Sequence, residues 1–350
     1  MLCAYVKGSV SMPEKMHMPE LRLTDAEDGQ MVAVLDAPYR ISVRRAEIPD
    51  PSDEEVRVKI KWVGICGSDV EAYRGIRAPE FLSTPARLGH EATGVIDKVG
   101  KNVIGLRIGD RVVLRYVWGA FAQYLVCKPF SVHILPDTID LKEGSLTEVL
   151  PGILHAASLG DISPAKDVLI MGQGVSGLVM TQIVKLMSPR NLVVTDLFEE
   201  KLRLSRKYGA THAYVIPSPD TRTRDVVGGD FPNGFDVVIP CLLEGDGVVD
   251  AIDICAQNGR IILYGCIGTC NKPLDFFKVH RKRIDIFSTE PKRDIDNRRF
   301  WDESMRLVES GLVNTTEMVT HTFPLSRIQE AFKLREAHAA DVIHVMIDCE

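Results

Sequence analysis

Among the 350 residues no Cys-x-x-Cys pair occurs; the eight cysteines, Cys3, Cys66, Cys127, Cys241, Cys255, Cys266, Cys270 and Cys349, are scattered. That spacing suits neither a disulfide framework nor a closed structural zinc knot, and it points to a reducing, cytoplasmic setting. No stretch approaches the ~20 apolar residues that a bilayer span needs. The first thirty residues carry Lys7, Glu14, Lys15, His17 and Glu20 among their apolar positions. They therefore lack the apolar heart of a signal peptide and read as an extension ahead of a fold that starts near Met31. Basic blocks are missing too, and the net charge of -6 is mixed in sign, so neither a nucleic acid nor a membrane is the expected partner. Internal repeats and low-complexity segments are likewise absent. What is there is an ordinary globular composition, 45% hydrophobic and 26% charged, long enough for two domains and suited to a small-molecule partner.

The chain divides by rhythm. Up to about Leu150, short β-rich segments at 56–63, 92–99 and 111–114 are punctuated by Gly and Pro, which predicts an irregular β domain. From Asp167 onward, apolar runs at 168–171, 192–195, 213–216, 235–239, 260–264 and 284–287 alternate with helical stretches. Continuous apolar strands separated by helices predict a parallel sheet covered on both faces, and six of them match a doubly wound α/β nucleotide domain. After about Thr289 the alternation breaks. A helix at 299–310 and a last strand at 342–347 are assigned back to the first domain, because a cleft closes most easily when the chain crosses it twice. The expected organisation is an extension at 1–30, a β-rich domain from 31–150 and 290–350, and a nucleotide domain at 151–289.

Gly172-Gln173-Gly174-Val175-Ser176-Gly177 follows the strand 168–171 and opens a helix predicted over 175–187. Gly172 permits the tight turn, Gly174 lets backbone approach a pyrophosphate, and Gly177 lets helix and strand pack closely. Helix N-terminal N–H groups then hold the phosphate charge, which makes Gly172, Gly174, Val175 and Gly177 the candidate cofactor contacts. Asp196 closes the second strand of this unit. A carboxylate there accepts from the adenosine ribose hydroxyls and repels a 2′-phosphate, selecting NAD over NADP; its structural alternative is an N-cap for the helix 198–208. Arg203 and Arg206 follow closely enough to keep dual specificity open, although helix spacing favours solvent-facing positions for them.

A catalytic zinc takes three Cys, His or carboxylate ligands and keeps one position open. Cys66 and His90 offer two of them. Taken singly, each is more often a buried thiol or a core histidine, and their neighbours outweigh that reading. Asp69 suits the second imidazole N–H of His90, and Ser68 suits the hydroxyl of a bound alcohol, whose proton it passes outward. His155 near the domain junction reads as structural, Cys241 as a small buried thiol, and Tyr73, Arg74, Tyr116 and Trp118 as the substrate mouth or surface packing.

The run Gly89-His90-Glu91-Ala92-Thr93-Gly94, with Gly100 and Val103, and the strand Ile108-Gly109-Asp110-Arg111-Val112 resemble the zinc-containing medium-chain dehydrogenase/reductase superfamily of alcohol, sorbitol and threonine dehydrogenases. The resemblance extends from about Met31 to Ile347. It implies a GroES-like catalytic domain joined to a Rossmann domain, an active site between them, and a homodimer or homotetramer that uses the last Rossmann strand as its edge. Thr147-Glu148-Val149-Leu150 is similar to the segment that carries a glutamate in sorbitol-dehydrogenase-like members, which makes Glu148 the expected third zinc ligand. Glu91 is the alternative, as a direct ligand or as a carboxylate behind the histidine. Between Val112 and Phe121 the lobe that binds a structural zinc in typical relatives is absent, so one zinc per subunit is expected. Glu71 stands where many relatives place a relay histidine; it is either the proton acceptor or an exposed helix glutamate.

The reaction implied is reversible, zinc-assisted oxidation of a secondary alcohol of polyol, sugar or cyclitol type by NAD. Two other readings stay open: a zinc-free NAD(P)H-dependent quinone or alkene reductase of the same fold, and a dinucleotide-binding protein without catalysis.

Overall fold

The computed structural model describes residues 21–76, 86–242, 245–264, 270–289, 294–337 and 340–350. The expected N-terminal extension up to residue 20, Cys266 and the domain boundary at 289/290 lie outside or at the edge of those residues. Leu23 already bridges Ala46, and the fold proper starts with β1 (Gln30–Ala37), paired antiparallel to β2 (Arg40–Ala46).

The first half forms around β3 (Val56–Gly64), in which Val56, Val58 and Ile60 are fully buried at alternate positions, the period-2 signature of a strand facing a core. Helix α1 (Gly67–Arg74) follows, then β4 (Glu91–Val99), β5 (Arg111–Leu114), β6 (Tyr124–Cys127), β7 (Val132–Ile134) and the short helix α2 (Leu141–Gly144). Helix α3 (Leu150–Leu159) carries the chain across to the second half.

That half contains β8 (Asp167–Met171), α4 (Val175–Leu186), β9 (Asn191–Asp196), α5 (Glu199–Lys207), β10 (His212–Val215), α6 (Thr223–Val227), β11 (Phe235–Pro240), α7 (Asp246–Ile254), β12 (Cys255–Leu263), α8 (Phe276–Lys282) and β13 (Asp285–Ser288). The strands are parallel in the order β10-β9-β8-β11-β12-β13, the doubly wound arrangement with its crevice at the switch point between β8 and β11. Every residue of β8 is buried because each face meets its own core. Val168 and Ile170 pack with α3 and α4, whereas Leu169 and Met171 pack with Val227, Phe235 and Ile252.

Helix α9 (Asp294–Glu309), β14 (Val319–Pro324), α10 (Ile328–Glu336) and β15 (His344–Asp348) complete the chain. β15 pairs antiparallel with β3 and parallel with β14, so the tail joins the first sheet. There Phe332 packs against Tyr73 and Phe121, all three fully buried. One strand differs from the sequence pattern: β12 begins at Cys255 rather than near Arg260. Polar Gln257 and Asn258, the latter at φ +59°, interrupt the apolar pattern, but they form an irregularity through which the strand passes, with pairing resumed at Val237 and Arg260.

Candidate active site

Cys66 is the residue just before α1, and His90 and Glu91 lie where the chain enters β4. Their ligand atoms all lie within 4.8 Å of one another. One buried carboxylate holds the two loops together. Asp69 Oδ2 accepts from the Cys66 N–H at 3.0 Å, and Oδ1 accepts from the Gly89 N–H at 2.9 Å. The same Oδ1 is 3.6 Å from His90 Nδ1, a contact too long for a hydrogen bond. Asp69 thus fixes the backbone around both ligands as much as the imidazole. The His90 ring leans on Trp118, centroids 4.5 Å apart.

Glu91 Oε2 lies 3.1 Å from His344 Nε2 on β15, with both side chains almost wholly buried. The contact is close, yet both atoms lack an aligned hydrogen-bond partner. Gly64 makes room for it: a Cβ there would stand 2.3 Å from each of the two atoms. Glu148, the expected third ligand, lies outside the cluster, with Oε1 3.5 Å from Arg115 Nε, an ion-pair distance too long for a hydrogen bond. It remains near enough to feel the charges of His90, Glu91 and Asp69.

The electrostatics of the cluster conflict. Burial, followed by Glu91, pushes the Cys66 thiol up; burial opposes charge on His90, but Asp69 and Cys66 outweigh it and hold the imidazole well above its usual value. Burial also raises Glu91, yet His344 and His90 outweigh it and bring the carboxyl down. Glu148 is raised, mainly by burial. A divalent cation resolves this crowding, since it favours thiolate, neutral imidazole and carboxylate together. A sulfur, a nitrogen and an oxygen with buried, unsatisfied atoms among them fit zinc.

The remaining expected residues fall as follows. Ser68 is half-buried on the first turn of α1, and Glu71 one turn further on is buried rather than exposed. His155 makes a 3.2 Å contact through Nδ1 to the Thr289 carbonyl, and the Cys241 thiol is pushed up to about 12 by burial. Both suit the structural roles expected of them.

At the crevice, Gly172 has φ +88°, and a Cβ on Gly177 would come within 1.9 Å of the Gly172 carbonyl oxygen. Around Gly174, which caps α4, nothing lies within 4 Å of such a Cβ, the open approach that a pyrophosphate needs. Asp196 Oδ2 accepts from the Gln173 N–H at 2.7 Å and Oδ1 from the Phe198 N–H at 3.0 Å. It therefore supports the glycine turn while each oxygen keeps a lone pair. Arg203 and Arg206 are exposed.

Residues 52–137 match the family model for the alcohol dehydrogenase GroES-like domain, and residues 176–307 the one for the zinc-binding dehydrogenase. The chain belongs to the zinc-containing medium-chain dehydrogenase/reductase superfamily. Its two halves are accordingly a GroES-like catalytic domain and a Rossmann domain. The chain is 25% identical over 338 residues to the sorbitol dehydrogenase of Halalkalibacterium halodurans, covering 88% of this chain and 96% of that one. It is 28% identical over 359 residues to the D-xylulose reductase of Saccharomyces cerevisiae, covering 91% and 98%. Among solved structures, an Escherichia coli oxidoreductase of unknown specificity superposes with a TM-score of 0.79 at 27% identity, covering 91% of this chain and 99% of that one.

Several residues of this dehydrogenase's cleft escaped the sequence pattern. Lys201 is buried with Nζ 4.8 Å from the Phe198 ring centroid; burial lowers its pKa, and Asp196 pulls the other way. Its signal is a lysine on the buried face of α5, beside Leu202 and Ser205. Arg335 on α10 has a buried Nε without a partner and feels Cys66 and Glu91 from one side. His344 and Arg335 carry no local signal, because only the folded tail brings them to the site.

Proposed function

We propose that the chain is a zinc-dependent, NAD-linked dehydrogenase that oxidises a secondary alcohol of polyol, sugar or cyclitol type to a ketone, reversibly. The observation that carries the reading is the Cys66, His90 and Glu91 cluster on a domain joined to a glycine-loop Rossmann sheet. Cys66, His90 and Glu91 are the proposed ligands, with Glu148 facing the substrate side. When bound, zinc supplies Lewis acidity that makes a hydroxyl more acidic, and the nicotinamide supplies the hydride acceptor. Ser68 takes the hydroxyl proton and Glu71 is its acceptor, while Asp69 keeps Cys66 and His90 in place. Lys201 and Arg335 offer positive charge to the dinucleotide. The choice of NAD over NADP rests on Asp196, whose free lone pairs suit two ribose hydroxyls and whose charge opposes a 2′-phosphate.

The polyol preference is supported by the sorbitol dehydrogenase and D-xylulose reductase relatives. A homodimer through β13 is supported by its edge position and by exposed Phe276, Phe277 and Ile286 beside it. Among the described residues no helix is long and apolar enough to cross a membrane, and a cytoplasmic setting fits the scattered thiols.

A panel of polyols, cyclitols, amino alcohols and simple alcohols, offered with NAD and with NADP while zinc is quantified, tests the reading. The expected result is one zinc per chain and NAD-linked turnover of a polyol. Two zinc ions per chain contradict the single-site reading, and turnover of an alkene or quinone by the metal-free protein contradicts the mechanism.

A further inference from the structure

Arg115 follows β5, anchored by its own N–H to the Ser131 carbonyl at 2.9 Å. Its guanidinium is backed by the Tyr116 ring, with Cζ 4.7 Å from the centroid, and Tyr116 holds φ +58° to turn the chain there. The side chain is 11% exposed, yet its Nε–H has no acceptor. Glu148 Oε1, at 3.5 Å, pairs with the guanidinium charge but is too far to accept this N–H. A buried guanidinium N–H left in this state needs an explanation.

Its surroundings supply one. Across from Arg115 lies Gly152 of α3, where a Cβ would sit 3.5 Å from Arg115 Nη2 and 3.9 Å from the Tyr264 hydroxyl. The gap between the two side chains is therefore at least a methyl group wide. The Tyr264 hydroxyl stands near Ser176 in the first turn of α4 and feels Cys66 and Glu148. Arg115 thus projects beside the space between the candidate metal ligands and the glycine loop, where the reacting carbon has to lie if the dehydrogenase reading above is right.

We propose that Arg115 is a specificity-determining residue, and that its guanidinium receives a carboxylate borne on the hydroxylated chain of the substrate, a sugar acid rather than a neutral polyol. Planar guanidinium and carboxylate match in geometry, and a charge-assisted pair in a buried site discriminates strongly against a neutral analogue. Glu148, 3.5 Å from Arg115 Nε, disfavours a phosphate dianion by repelling its second charge. The monoanion is the better fit.

The test uses the metal-loaded full chain with three substrates on one six-carbon skeleton: a polyol, its aldonic acid and its terminal phosphate ester. The readouts are the kcat/KM ratio of acid to polyol and, by calorimetry, the affinity of the acid for the NAD complex. Wild type is expected to prefer the acid, and Arg115→Met to lower the ratio about 10- to 100-fold, the range of a charge-assisted contact. Arg115→Lys, which keeps the charge without the fork, should fall between them. Thermal unfolding of each variant separates misfolding from lost recognition. A ratio unchanged in both variants overturns the proposal, as does a wild-type preference for the polyol or the phosphate. Arg115-dependent binding of the acid without turnover of any substrate supports this contact and contradicts the dehydrogenase reading. Polyol turnover without acid preference does the reverse.

Discussion

Two alanine substitutions three residues apart in the glycine loop should have opposite consequences. At Gly177 the new Cβ would lie 1.9 Å from the Gly172 carbonyl oxygen, with the Gly172 carbonyl carbon 2.9 Å away. Both neighbours are backbone, so relief requires helix α4 to move off β8 by about 1.4 Å before a C···O approach of roughly 3.3 Å is reached. That displacement unpacks Leu178, Val179 and Met180, all fully buried, and should cost about 3 kcal/mol, the upper end of overpacking penalties. Gly177→Ala is therefore expected to lower Tm by roughly 6–12 °C. At Gly174 the backbone, φ -70° and ψ -170°, is open to any residue, and nothing lies within 4 Å of the added carbon. Losing glycine at an N-cap costs about 0.5–1 kcal/mol, and restricting the unfolded chain returns about as much, so Tm should shift by no more than ~2 °C. The methyl nevertheless occupies the approach a pyrophosphate needs. Losing one charge-assisted N–H contact, about 1.5–3 kcal/mol, should weaken dinucleotide binding about 10- to 150-fold. Fluorescence titration with NADH and NADPH, alongside thermal unfolding, reads both quantities. Gly174→Ala with wild-type affinity for both cofactors would falsify the phosphate cradle, and Gly177→Ala with wild-type Tm would refute the packing argument.

Asp69→Asn replaces one acceptor oxygen by an NH2 group that faces a backbone N–H, either of Cys66 or of Gly89. Urea unfolding should show a loss of about 1–3 kcal/mol and chelator competition a metal affinity about 10- to 100-fold weaker; unchanged metal retention contradicts the anchoring role. Glu91→Gln should release zinc to a competing chelator far more readily than Glu148→Gln, and the opposite order would restore Glu148 as the third ligand. For pH, Arg190 and then Asn191 hold the Asp167 carboxyl below its ordinary value, with burial opposing them. Because the folded pKa is the depressed one, this stabilisation is full above the ordinary aspartate value near 3.9 and is lost as pH falls through the lower folded value. Arg190→Ala should therefore lower stability at neutral pH by up to about 1 kcal/mol, as Arg190 is half exposed. The gap to wild type should close below about pH 3.9, and a gap that widens on acidification refutes the linkage.

Most of the scaffold is legible from local pattern. The apolar runs that became β8, β9 and β11 were readable because a strand buried on both faces admits few polar residues. At β12 the apolar run at 260–264 marks only the second half of the strand, because the polar Gln257 and Asn258 ahead of it lie in an irregularity inside the strand. Of the two readings of Glu71, proton acceptor or exposed helix glutamate, its burial removes the second, and nothing in the eight residues of α1 records that burial.

The sequence by itself determined what short-range geometry encodes. The glycine turn and the following helix, the carboxylate closing β9, and the cluster of Cys66, Ser68 and Asp69 around one helix start all depend on residues a few positions apart. Tertiary structure alone decided which glutamate joins Cys66 and His90. That choice turns on a few ångströms: Glu91 meets them while His344 from the tail backs it through the gap over Gly64, and Glu148 turns to Arg115. Which carboxylate stands beside Cys66 and His90 depends on the direction of side chains brought together from opposite ends of the chain, and no local periodicity records that direction.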